Sequence, residues 1–168
     1  MRSAKKITIK ILSLLLAIPL LTLFVSCQKD STVTHKYCEI EITLPDRFSE
    51  YEAESFDLAL TDTRLIVGIQ RLSFDAGLED NVPATLTPLV FREYYLNRTG
   101  TTAELSTHGY IPLASFTLSA SGVTYSYLLS FYRTDYAYFI ITFITEGGMT
   151  ESLKEDVYSY IDTVIYTS

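Results

Sequence analysis

Val123-Thr124-Tyr125-Ser126-Tyr127-Leu128-Leu129-Ser130-Phe131-Tyr132-Arg133-Thr134-Asp135-Tyr136-Ala137-Tyr138-Phe139-Ile140-Ile141-Thr142-Phe143-Ile144 is the stretch that decides the fold. In its first half Val123, Tyr125, Tyr127, Leu129 and Phe131 share one phase, and Thr124, Ser126, Leu128, Ser130 and Tyr132 the other. That period of two is the signature of a strand. Arg133-Thr134-Asp135 is short and polar and turns the chain back, so the two strands pair antiparallel. Residues 136–144 are apolar in both phases, with Tyr138, Ile140 and Ile144 on one and Phe139, Ile141 and Phe143 on the other. Such a strand belongs in mid-sheet, with both faces covered.

Working outward, residues 102–107 and 111–118 read as two further strands, separated by His108-Gly109 and closed by the turn 119–122. Gly147-Gly148 ends the central strand. Thr150 then caps a last helix carrying Leu153, Val157, Tyr160, Ile161 and Val164 at helical spacing. Upstream, residues 38–44 alternate and stop at Pro45, 56–60 form a second strand, and 65–72 a third after the polar link 61–64. Gly68 marks a close approach or a bulge. Thr87 before Pro88 is a helix start, with Leu86 placed to staple onto Phe91. The helix runs to about Asn97, with Val90, Phe91, Tyr94 and Tyr95 on one face and Arg92 and Glu93 elsewhere. The order is three strands, a helix, four strands, a helix. Short links imply antiparallel pairing, so the expected fold is α+β, a single antiparallel sheet packed against helices.

The chain has 168 residues, 20 of them acidic and 13 basic. Residues 1–10 hold Arg2, Lys5, Lys6 and Lys10 and no acid, and 11–25 are an apolar run that includes Pro19. This is a secretory pattern. At 15 residues the run is short of the ~20 that a spanning helix needs. Ser26 followed at once by Cys27 resembles a bacterial lipoprotein signal. The resemblance implies cleavage before Cys27, diacylation of its thiol and durable attachment by more than one lipid chain. A plain secretion signal and an uncleaved anchor are the alternatives. The expected organisation is a signal peptide over 1–26, a lipidated Cys27 and polar tether over 27–37, and a globular domain over 38–168. The expected location is the extracytoplasmic face of a bacterial cell membrane.

Without residues 1–26 the chain keeps nine basic and 20 acidic residues, a charge of −11. That argues against nucleic acid, which demands a positive footprint, and against an electrostatic grip on anionic lipid. Cys38 is in phase with Ile40, Ile42 and Leu44 and reads as a small buried apolar residue. A reactive thiol and a disulfide to another chain are the alternatives.

Glu39-Ile40-Glu41-Ile42-Thr43-Leu44-Pro45 with Phe48 resembles the opening strand of the Mog1/PsbP-like domains. The hairpin over 125–144 resembles their central meander, and Ile161-Asp162-Thr163-Val164 their last helix. The resemblance spans residues 38–168. It implies an α/β/α sandwich acting as a binding or assembly module, with no shared catalytic residue to carry over.

Little in the chain argues for catalysis. The histidines are His35, in the expected tether, and His108, in a turn with Ser106 and Glu104 nearby. There is no Gly-x-Ser-x-Gly elbow, no set of zinc ligands and no glycine-rich phosphate loop. Asp46, Glu50, Glu52, Glu54 and Asp57 lack the spacing of a calcium loop and read as a solvated stretch. The expectation is a non-enzyme without metal or cofactor. The 13 tyrosines are the remaining signal. Either they pack between sheet and helix with hydroxyls in water, or Tyr132, Tyr136 and Tyr138 form a face for a protein partner. A small-ligand carrier with a cleft between sheet and helices and an unrecognised hydrolase are the other functional readings.

Overall fold

The computed structural model describes residues 31–74 and 82–166. The strands are β1 (Thr32–Tyr37), β2 (Ile40–Pro45), β3 (Ser49–Glu50), β4 (Leu58–Thr61), β5 (Ile66–Ser73), β6 (Glu104–His108), β7 (Ile111–Ala120), β8 (Val123–Arg133), β9 (Ala137–Glu146) and β10 (Ile165–Tyr166). The helices are α1 (Pro88–Thr99), between β5 and β6, and α2 (Glu151–Ile161), between β9 and β10. β9 is the centre, as its double apolar phase requires. It lies between β5 and β8 and is buried from Ala137 to Thr145.

Every described strand pair is antiparallel. The strands form two sheets, however, and the expectation of a single one is corrected. Seven strands run in the order β3-β4-β5-β9-β8-β7-β6, and three in the order β1-β2-β10. The small sheet forms because β2 pairs with its neighbour β1 on one side and with the far end of the chain on the other. Thr163 extends that second edge: its hydroxyl accepts from the Thr43 amide at 3.0 Å and donates to the Thr43 carbonyl at 3.1 Å.

Two apolar clusters hold the layers together. On one face of the large sheet, Phe139, Ile141 and Phe143 meet Ile40, Ile42 and Leu44 of the small sheet and Leu153, Val157 and Ile161 of α2. On the other face, Ala114, Leu129, Phe131, Tyr138 and Ile140 meet Phe91 and Leu96 of α1. Each large apolar side chain so buried contributes about 1.5–3 kcal/mol. The helices thus flank the large sheet, with the small sheet sharing the α2 face.

Both helix starts are where the capping pattern puts them. Thr87 Oγ1 accepts from the Val90 amide and Thr150 Oγ1 from the Leu153 amide, each at 3.3 Å. Gly100 closes α1 in the left-handed conformation at φ 65°. The expected face of α1 is corrected. Val90 is exposed, whereas Arg92 is buried and its Nη1 donates to the carbonyls of Ser106 (2.9 Å) and Leu113 (3.1 Å). The guanidinium satisfies carbonyls of β6 and β7 that α1 covers, and Glu93 balances its charge at 2.7 Å.

Gly68 marks a close approach: the Phe56 ring lies where a Cβ would stand. Two N-terminal expectations are corrected. Residues 32–37, expected to be tether, are strand β1, each paired in register from Thr32↔Pro45 to Tyr37↔Ile40. Cys38 is not buried. It is exposed in the β1–β2 turn with φ 51°, because the hairpin reverses there and breaks the alternation before Ile40.

Candidate functional site

The register divides the molecule's turns between two ends of the large sheet. At one end lie the β8–β9 turn, closed by the pair Arg133↔Tyr138, and the β6–β7 turn, closed by His108↔Ile111. The β1–β2 turn reaches the same end. Arg71 Nη2 and Nε donate to Glu39 at 3.0 and 3.1 Å, and Arg71 pairs with Phe139 near the start of β9. At the opposite end lie the β7–β8 turn and the β4–β5 turn. Arg47 Nε donates to Asp62 Oδ2 there at 2.9 Å, two residues past Pro45, the partner of Thr32. The chain therefore enters the domain at the end away from the β8–β9 turn.

The tyrosines sort by this geometry. Of the three expected at a partner face, only Tyr136 is at the surface, 60% exposed at the β8–β9 turn. Tyr132 and Tyr138 are core residues at 2% and 0% exposure, and that part of the expectation is corrected. They stand in opposite phases of flanking strands, and each is covered by a different layer. Tyr138 stacks on Phe91 of α1 with ring centroids 4.0 Å apart, and its hydroxyl donates to the carbonyls of Pro83 and Leu86. Tyr132 lies in the α2-side cluster with its ring 6.1 Å from Tyr166. Burial pushes both phenols above their ordinary pKa, so they stay protonated.

The exposed aromatics at this end come from segments far apart in sequence. Tyr110 lies in the β6–β7 turn at 81% exposure, and Tyr166 forms β10 with the exposed Ile165. With Tyr136 they put four exposed large side chains, three of them phenols, on the rim of this end of the sheet. Sequence reasoning missed Tyr110, Ile165 and Tyr166 because none belongs to a long apolar pattern. Their isolation in turns and at the chain's end was the available signal.

His108 sits beside this rim. Its Nε2 is 2.8 Å from Asp162 Oδ1, and its ring stacks on Tyr158 at 4.6 Å. Ser106 and Glu104, its neighbours in sequence, do not engage it, and no hydroxyl is hydrogen-bonded to either ring nitrogen among the described residues. The pair lacks the nucleophile of a Ser-His-Asp device and instead ties the β6–β7 turn to the end of α2.

Glu50, Glu52, Glu54 and Asp57 line an open groove of about 680 Å³ together with Tyr51, Phe56 and Leu58. The acidic stretch is thus a surface feature, and among the described residues no three metal-ligating side chains gather to hold an ion. The best-bound carboxylate lies elsewhere. Burial pushes Asp62 up, but the Arg64 and Leu65 amides and the Arg47 guanidinium outweigh it and hold the carboxyl below its ordinary value. Arg71 holds Glu39 below the usual range chiefly through its hydrogen bonds. Cys27 lies outside the described residues.

No protein-family model matches the chain, and no curated protein matches it. Solved structures do. A crystal structure from Bacteroides thetaiotaomicron aligns with 84% of this chain at 14% identity and a TM-score of 0.58. It is covered over 50% of its own length, so the chain spans about half of that protein. The solution structure of cyanobacterial PsbP (CyanoP) from Synechocystis aligns with 84% of this chain and 98% of its own, at 13% identity and TM-score 0.41. The crystal structure of LpqN, involved in cell envelope biogenesis of Mycobacterium tuberculosis, aligns with 82% and 90%, at 11% identity and TM-score 0.48. What the Bacteroides structure shares with this chain is its α+β fold.

Proposed function

We propose that this protein is a lipid-anchored extracytoplasmic module of a bacterial membrane that binds a protein partner through the β8–β9 end of its large sheet, without catalysing a reaction. The observation that carries the reading is the convergence of Tyr110, Tyr136, Ile165 and Tyr166 at that end, opposite to where the chain enters at Thr32. Tyrosine is enriched at protein interfaces because it supplies apolar area and a hydrogen-bonding tip. An anchor on Cys27 holds the other end near the bilayer and leaves the rim facing outward. The names of two structural neighbours, a PsbP protein and an envelope-biogenesis protein, are in keeping with a module of this kind. The small-ligand carrier has less support, because the groove at Glu50–Asp57 is open and both apolar clusters are filled by side chains.

The test is affinity capture from gently solubilised membranes, comparing the natural chain with a Tyr110→Ser/Tyr136→Ser double variant. Both positions are exposed, so the melting temperature is expected to hold. A stoichiometric partner that the variant loses supports the reading. A partner retained by an equally stable variant, or no partner with the natural chain, removes it.

A further inference from the structure

Residues 109–132 contain no Asp, Glu, Lys, Arg or His, in a chain with 33 such carboxylate, ammonium or guanidinium side chains in its 168 residues. The uncharged stretch makes the β7–β8 hairpin, and half of that hairpin stands free of the sheet's outer strand. β6 pairs with β7 only from Ile111 to Ser115, so β7 from Phe116 to Ala120 has β8 on one side and no described strand on the other. The register puts Phe116 opposite Tyr127, Leu118 opposite Tyr125, and Ala120 opposite Val123, all on one face. Phe116 and Tyr127 stack at 4.9 Å and pack against the α1-side cluster. Beyond them the apolar ladder continues uncovered, with Leu118 53% exposed. The opposite face carries Thr117, Ser119, Thr124 and Ser126, with a Ser119–Thr124 hydroxyl contact of 3.1 Å. The tip, Ser121-Gly122, turns with both residues at positive φ.

This arm points to the end of the sheet at which the chain enters. Thr61↔Ile66 and Tyr125↔Glu146 place the β4–β5 and β7–β8 turns at one end, and Arg47–Asp62 brings Pro45, and with it Thr32, to the same end. From Cys27 to Thr32 is five residues, a reach of at most about 17 Å. A lipid on Cys27 would therefore hold Thr32, and the end of the sheet at which it lies, within that reach of the bilayer surface.

We propose that the tip of the β7–β8 hairpin, residues 118–125, rests in the headgroup layer of the bilayer that holds the Cys27 lipid. The inference rests on the lipid-anchor reading. The tip is the part of this end suited to that layer. Its own side chains carry no charge to desolvate; Glu104 and Glu151 lie beside the arm's base, and exposed Glu146, opposite Tyr125 and next to Gly122–Thr124, marks the level at which the domain returns to water. Tyr125 is of the residue type that favours the interfacial level. The edge of β7 that no described strand pairs sets the depth: its outward amides and carbonyls need water or headgroup partners, so the tip stops short of the hydrocarbon.

The chain has no tryptophan, so a single one reports its own position. Lipidated full-length chain carrying Leu118→Trp, Val123→Trp or Ile165→Trp is reconstituted into phosphatidylcholine vesicles with and without brominated phosphatidylcholine. Flotation of the natural chain and of Cys27→Ser reads the anchor separately. The expected result is a blue shift and a partial loss of emission at positions 118 and 123 in vesicles brominated on the acyl carbons nearest the headgroup, with position 165 unchanged. A chain that floats, with positions 118 and 123 emitting as in water, overturns the membrane contact and leaves the anchor standing. A blue shift without loss to bromine places the tip against protein, such as a second copy along the free β7 edge, and overturns it too. A natural chain that does not float removes the anchor reading and the inference with it.

Discussion

β9 and the outer half of the β7–β8 hairpin are both apolar strand structure, and they have opposite fates. β9 has Phe139, Ile141 and Phe143 under the small sheet and α2, and Tyr138 and Ile140 under α1, so its side chains are spent on the fold. The hairpin's outer half continues the α1-side face past the helix, and Leu118 meets solvent. The difference lies in the covering layer. An apolar side chain stabilises a protein by what it removes from water, so the same residue type is structural in one strand and available for contact in the other.

The largest expected effect is on the covered side. Phe139→Ala should cost about 4 kcal/mol, read as a fall in the urea midpoint, and a cost near that of a surface change would show that β9 is not the keystone. Gly68→Ala, on the neighbouring strand β5, drives a methyl into the Phe56 ring and should cost about 2 kcal/mol. Pairing it with Phe56→Ala should cost less than the two changes separately, since the clash is shared.

Next comes Asp62, which joins the β4–β5 turn to Arg47. Asp62→Ala should cost about 2 kcal/mol at pH 7, because it removes charge-assisted hydrogen bonds to two amides and a guanidinium. The folded carboxyl titrates below its ordinary value of 3.8. Its contribution is therefore full above that value and is lost as the pH falls through the lower folded value. The gap between variant and natural chain should close in acid; a gap that stays constant with pH would assign the cost to packing instead. The smallest effect belongs to the uncovered arm. Leu118→Ser should stay within about 0.5 kcal/mol of the natural chain, and a core-sized loss would mean the arm is covered after all.

Much of this was legible locally. The alternation of β8, the double apolar phase of β9 and the caps at Thr87 and Thr150 are short-range patterns that the structure keeps. Between core and partner face the sequence leaves Tyr132 and Tyr138 open, because a tyrosine suits both, and alternation names two faces without saying what lies over each; the structure buries the two. Arg92 was misplaced because a guanidinium is read as solvent-seeking, while its burial depends on carbonyls 14 and 21 residues further on. Cys38 keeps the phase of β2 but falls on the turn that precedes it.

By itself, the sequence determined the α+β class, the antiparallel hairpins, the helix starts and the acidic balance, because each is written in neighbouring residues. Only the tertiary structure decided the second sheet, the burial of Tyr132 and Tyr138, and the gathering of Tyr110, Tyr136, Ile165 and Tyr166 at one end. Those outcomes depend on β10 meeting β2 and on α1, α2 and the small sheet choosing which faces to cover. Such pairings join residues more than a hundred positions apart, and the apolar area they remove from water is set by the whole fold rather than by any stretch of it.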